Sequence, residues 1–235
     1  MSTSESELPV KGARVDQAPG DASPTLISDP TPAAFAVFAF ALAVYGVRFV
    51  SVSDATLAAG PATVALNYAV LAAALANIVG GIIALVRGLS YPGWVMTVFG
   101  TWLVGFYLVI SAGGQKAFTP DAVGWYVLFL EAPVLILAIP AFVHRDLLLS
   151  LAFAALAVLV ILLGLGFHDL YDATVTAAAS HSAPSLSGPI GLLKTSAYVA
   201  FAGAALVWLK MAFEVYAATG VMDSPKLLGG LSRHS

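Results

Sequence analysis

Cysteine is absent from the 235 residues, and charge is scarce: 10 Lys and Arg with 13 Asp and Glu make up 10% of the chain. The first absence rules out disulfides, thiolate nucleophiles and thiolate metal sites together. The second rules out a fold that lives in water. A soluble domain carries about 25% charged residues, whereas a lipid-facing surface needs none. The net charge of −3 is small and no run of five basic residues occurs, so a nucleic-acid partner is not expected. His144, His168, His181 and His234 lack metal-ligand spacing; His168 with Asp169 and Asp172 is the nearest approach to a cation site. No Gly-rich phosphate loop, nucleophile elbow or paired-carboxylate signature is present. An enzyme, a cofactor and a metal centre are therefore not expected.

What the chain does have is apolar length: 60% hydrophobic residues and a mean hydropathy of +0.92. A hydrocarbon core of about 30 Å needs roughly 20 apolar residues in a helix. That ruler finds six spans: 33–52, 62–86, 92–112, 122–143, 147–167 and 190–217. Strands of a membrane barrel would be about ten residues long and strictly alternating, so the fold class is an all-α membrane protein, a six-helix bundle over residues 31–220. The breaks have physical causes. Gly60-Pro61 opens the second span, where the missing N–H of proline costs nothing. Arg87 to Ser90, Gly113 to Lys116 and His144-Arg145-Asp146 form polar turns, and His168 to Pro189 reads as a longer exposed loop. Residues 1–30 are polar and rich in Ser, Pro and acidic groups, which suits a disordered tail rather than a secretory signal. Residues 221–235 read as a flexible tail.

Lys11, Arg14, Arg87, Arg145, Lys226 and Arg233 fall on one side of this topology, against Arg48, Lys116 and Lys194 on the other. The bias predicts both termini in the cytoplasm of a multi-pass cell-membrane protein. Small residues recur where helices could touch: Ser196, Ala200 and Ala204, and Gly81, Ala84 and Gly88. Such residues let backbones approach in lipid, either within one bundle or between protomers.

Several short segments, taken in order, resemble the acetate uptake transporter family of bacterial acetate/succinate permeases and their fungal relatives. The motif opening that family's first helix is Asn-Pro-Ala-Pro-Leu-Gly; here Asp29-Pro30-Thr31-Pro32-Ala33-Ala34 stands in its place. Gly80-Gly81 matches a Gly-Gly pair late in the second helix, and Phe99-Gly100-Thr101-Trp102 a Tyr-Gly-aromatic segment in the third. Leu156 to Gly166 is similar to the fifth helix, and Phe213-Glu214-Val215-Tyr216 to the segment closing the sixth. The resemblance implies a hydrophobic constriction of Phe38, Phe99 and Leu156 in a pore through each protomer of a homohexamer. It also implies a small monocarboxylate such as acetate as solute. The departures are chemical: Phe99 lacks the hydroxyl of the family's Tyr, Ala84 replaces a Gln, and Phe213 an Asn. Polar groups that would orient a carboxylate are missing.

An apolar neck resists hydrated ions by dewetting and passes a weak acid more readily in its neutral form; the same three side chains are also ordinary bundle filling. Glu131 sits mid-span, two residues before Pro133. A carboxylate there is costly unless paired, protonated or wet, so it is either a proton acceptor for coupled uptake or a partner of Lys210 or of freed backbone. Lys210 and Glu214 lie one helical turn apart and can pair. Asn67 and Asn77 suit interhelical hydrogen bonds or a pore lining, and Arg48 and Arg87 suit interface anchors. Three functions follow: a monocarboxylate permease or channel, proton-coupled or passive; a channel for a neutral solute such as urea, an amide or ammonia; or a non-transporting membrane sensor or assembly protein.

Overall fold

The computed structural model describes residues 29–53, 61–111, 114–219 and 221. The two expected tails, with Lys11, Arg14, Lys226 and Arg233, lie outside the described residues apart from Asp29, Pro30 and Val221. The described chain is helical throughout: α1 (Thr31–Val50), α2 (Pro61–Val86), α3 (Ser90–Ile110), α4 (Gly114–Ala117), α5 (Pro120–Leu128), α6 (Glu131–Val143), α7 (Leu147–Ser180) and α8 (Ser187–Ala218). Among the described residues, six spans are long and apolar enough to cross a membrane, α5 and α6 together making one. Around the bundle, α3 packs on α2, α2 on α1, α1 on α8, α8 on α7, and α7 on α5 and α6. Large apolar side chains such as Tyr68, Val86, Phe129 and Ile136 point outward from the spans. In water they would be a liability; in lipid they are the expected surface.

Local chemistry explains the helix ends. At the end of α2, Gly88 adopts φ 78°, Leu89 N–H donates to Ala84 O at 2.8 Å and Gly88 N–H to Leu85 O at 3.0 Å. This is the paired-bond stop that a left-handed glycine permits. The end of α6 closes the same way with Arg145 at φ 55° in the glycine position, Asp146 N–H donating to Ala141 O at 3.0 Å. That turn delivers Asp146, whose Oδ1 accepts the Leu149 N–H at 3.1 Å and caps α7.

Two predicted elements are corrected. His168–Pro189 is not a long loop: α7 continues to Ser180 and α8 begins at Ser187. Asp169, Asp172, Thr174, Thr176 and Ser180 lie on the end of α7, while Ser182 and Ser185 fall in the short connection; a helix longer than the hydrocarbon layer can carry such polar residues where it meets water. The fourth span is not one helix but two, broken at Phe129 and Leu130. Pro133 has no N–H to give the Phe129 carbonyl, so the intrahelical ladder fails there.

Close approach of α2 and α3 rests on glycine. A Cβ on Gly100 would meet Ile78 N at 2.8 Å and Ala74 O at 3.0 Å, and one on Gly81 would meet Thr97 N at 2.8 Å. Gly80 is less tightly set: a Cβ there would meet Ala34 of α1 at 3.3 Å and Met96 of α3 at 3.5 Å. Ser196, Ala200 and Ala204 are buried within the chain, so this small-residue face serves the bundle itself.

Candidate functional site

Two cavities of about 50 Å³ each lie end to end within the bundle. Each has room for a few waters, since one water needs roughly 10–15 Å³ by this measure. Phe38 and Leu42 on α1, Phe99 on α3, and Leu156 and Leu159 on α7 line both cavities and stand where the two adjoin. The Phe38 and Phe99 rings are 5.8 Å apart by centroid, and Phe153 extends the stack at 6.2 Å from Phe99. The three residues expected to form a neck are thus brought together. Leu42 and Leu159 were missed. Their signal was present, since each lies one helical turn from a named member (Phe38 and Leu156) on the same face.

The near cavity lies toward the end of the bundle where α1 begins and α8 finishes. Beyond the neck, its wall includes Phe35, Asn77, Val95, Leu149, Val207 and Lys210. Buried Asn77 donates from Nδ2 to Ala73 O at 2.8 Å within its own helix, not between helices. A carbonyl can only accept, so the amide nitrogen faces it, and the side-chain carbonyl oxygen is the end available to the cavity. Lys210 Nζ lies 2.6 Å from Asp146 Oδ2 and 3.2 Å from Glu214 Oε1. The Lys210–Glu214 pair was expected; Asp146, 64 residues distant in sequence, was not. Its only sequence signal was an acidic residue directly before an apolar run, which marks a helix cap. Nothing in the sequence pointed it at Lys210.

The far cavity includes Tyr45, Leu66, Val70, Trp102, Phe106, Val127 and Leu163 in its wall. Its polar groups are already engaged. Tyr45 Oη and Ser196 Oγ are 2.5 Å apart, and Trp102 Nε1 donates to Tyr126 O at 3.4 Å while Tyr126 Oη donates to Trp102 O at 2.7 Å.

The remaining candidates lie outside both walls. Glu131 opens α6, is not among the carboxylates that hold Lys210, and buries its Oε2 without a protein hydrogen-bond partner. The half-buried Asn67 likewise has a buried Oδ1 without a partner. Asp29 Oδ1 accepts the Thr31 N–H at 2.9 Å, with Pro30 at the N-cap and Pro32 in the first turn of α1. Gly80, Gly81 and Gly100 pack helices, as above. Arg48 is not an exposed interface anchor: it is buried, donates from Nε to Thr63 Oγ1 at 2.8 Å and lies over the Phe49 ring. Its guanidinium finds polar partners inside, so it does not need the headgroups. His168 Nδ1 is 2.6 Å from Asp121 Oδ1, and among the described residues no cluster suited to a metal occurs.

No protein-family profile matches the chain. It is 32% identical over 145 residues to the "Putative transporter protein AmiS2" of Rhodococcus erythropolis, covering 56% of this chain and 70% of that protein. The chain belongs to the AmiS2 transporter family. Its fold is that of the bacterial acetate channel SatP, with a TM-score of 0.63 over 82% of this chain and 94% of the channel at 15% identity. The resemblance to acetate uptake transporters therefore stands as a likeness of fold. As a member of the AmiS2 family the chain is a multi-pass integral membrane protein that serves as a channel or transporter for small solutes, not an enzyme. The cell membrane is its expected location.

Proposed function

We propose that the chain is a passive channel for a small uncharged polar solute, urea or a short amide foremost, with ammonia in the same class. The observation that carries this reading is the chemistry of the passage. Its neck is wholly apolar, and the one charged side chain among the described residues of either wall, Lys210, already holds two carboxylates. A carboxylate anion would shed water at Phe38, Phe99 and Leu156 with no free cation to replace it, and dewetting would stop it. A neutral amide loses far less on the same path. The Asn77 carbonyl can accept one of its N–H groups.

A second reading, passage of acetate, draws on the fold shared with an acetate channel. On this neck acetate would cross as the protonated acid. Coupling to a proton carried by Glu131 is not needed for either reading. The basic residues of the short loops favour both termini in the cytoplasm, and the resemblance to the acetate uptake transporters supports a homohexamer with one passage per protomer.

Purified protein in proteoliposomes tests the reading with urea and acetate at acidic and neutral pH. Urea flux should exceed that of empty liposomes equally at both. Acetate flux above background should rise as pH falls, because the neutral acid becomes more abundant. Acetate passing faster at neutral pH, with no urea flux, would overturn it.

A further inference from the structure

We infer that Asp146 and Glu214 make Lys210 a charge filter at the mouth of the near cavity, admitting uncharged solutes and holding off small ions of either sign. The inference deepens the proposed passage of neutral solutes and rests on it. Lys210 is buried where it borders the cavity, and its ammonium lies between two carboxylates at 2.6 and 3.2 Å. One cation matched to two anions leaves no net positive charge to hold an incoming anion. The ammonium in turn takes one oxygen of each carboxylate, and neither carboxylate is part of the cavity wall, so an incoming cation meets the ammonium first. The three groups come from different places: Asp146 from the α6–α7 turn, Lys210 and Glu214 from the last turns of α8. A buried pair is strongly felt by its surroundings because water does not screen it, so a change in the balance should be read directly by ions entering the cavity.

The filter makes two opposite predictions. Neutralising both carboxylates, Asp146→Asn with Glu214→Gln, leaves the ammonium unmatched and should create a site for small anions. Removing the cation, Lys210→Met, leaves two carboxylates and should create a site for small cations. The readout is block of urea flux in proteoliposomes holding the same salt on both sides, with sodium formate or guanidinium chloride as probes. Wild type and Lys210→Arg should be slowed by neither. The carboxylate double variant should be slowed by formate alone and Lys210→Met by guanidinium alone, each about tenfold, the ratio given by 1.4 kcal/mol of binding. Variants that conduct urea yet respond to the salts as wild type does would overturn the filter. Wild type alone decides the matter if neither variant folds: a formate or guanidinium block of wild type sinks the inference. Absence of urea flux through wild type would instead defeat the proposed function. The same salts would then be scored on acetic acid flux, so the two failures are told apart.

Discussion

The near and far cavities share a neck but differ in how they treat polarity. In the near cavity, a lysine and an asparagine border the empty space, and two carboxylates behind the wall hold the lysine. In the far cavity every polar group at the wall is turned into a bond within the protein, Tyr45 to Ser196 and Trp102 to Tyr126. The first arrangement keeps chemistry at the surface of the passage; the second removes it. On the proposed route, a solute moving from near to far would leave an end where it can exchange hydrogen bonds with protein and water. It would then meet a stretch where it can exchange none, which favours small solutes with little hydration to lose.

The contrast can be broken by mutation. The largest effect is expected at the near end. Asp146→Ala removes both a partner of Lys210 and the cap on Leu149, and should destabilise by about 3–5 kcal/mol, the range for breaking a buried ion pair. Ser196→Ala at the far end leaves only the Tyr45 hydroxyl unpaired and should cost about 1–3 kcal/mol. Thermal unfolding of the two variants in detergent compares them; an equal loss would mean that the ends are not electrostatically different. Between them lies Phe99→Ala. It merges the two cavities, so urea flux per protein should rise and discrimination by size should fall, read as the ratio of urea to a larger amide. An unchanged ratio would move the constriction elsewhere. The smallest effect is expected at Glu131, outside both walls. Glu131→Gln removes a charge whose Oε2 finds no protein donor, and should leave flux unchanged while stabilising by about 1 kcal/mol, of the size usual for a single substitution. Loss of flux or of its pH response would bring Glu131 into the passage.

The fold was legible in the sequence because membrane insertion depends on length and polarity, which sequence displays directly. All six spans could be placed, as could the polar turns after α2 and α6. The misreadings arose where that ruler stops. Polar residues past Phe167 looked like a loop, yet a helix leaving lipid for water is free to carry Asp169 and Asp172. Pro133 was seen, but its effect is felt four residues earlier, at the Phe129 carbonyl. The meeting of Phe38, Phe99 and Leu156 between the two cavities was legible only through resemblance: they are indistinguishable from other filler until neighbouring helices face them with empty space. Asp146 and Lys210 were hidden for the same reason, as their pairing is set by which helices adjoin.

The length of α7 has a practical consequence. Its 34 residues extend about 51 Å at 1.5 Å per residue, and at a tilt of about 20° they still rise about 48 Å. That exceeds a hydrocarbon core of about 30 Å, so α7, with α8 alongside, reaches past it, and the short connection from His181 to Leu186 lies at its tip. A binding fragment or fused domain attached at that tip would be held rigidly to the bundle, giving a small, featureless particle a fixed landmark for imaging.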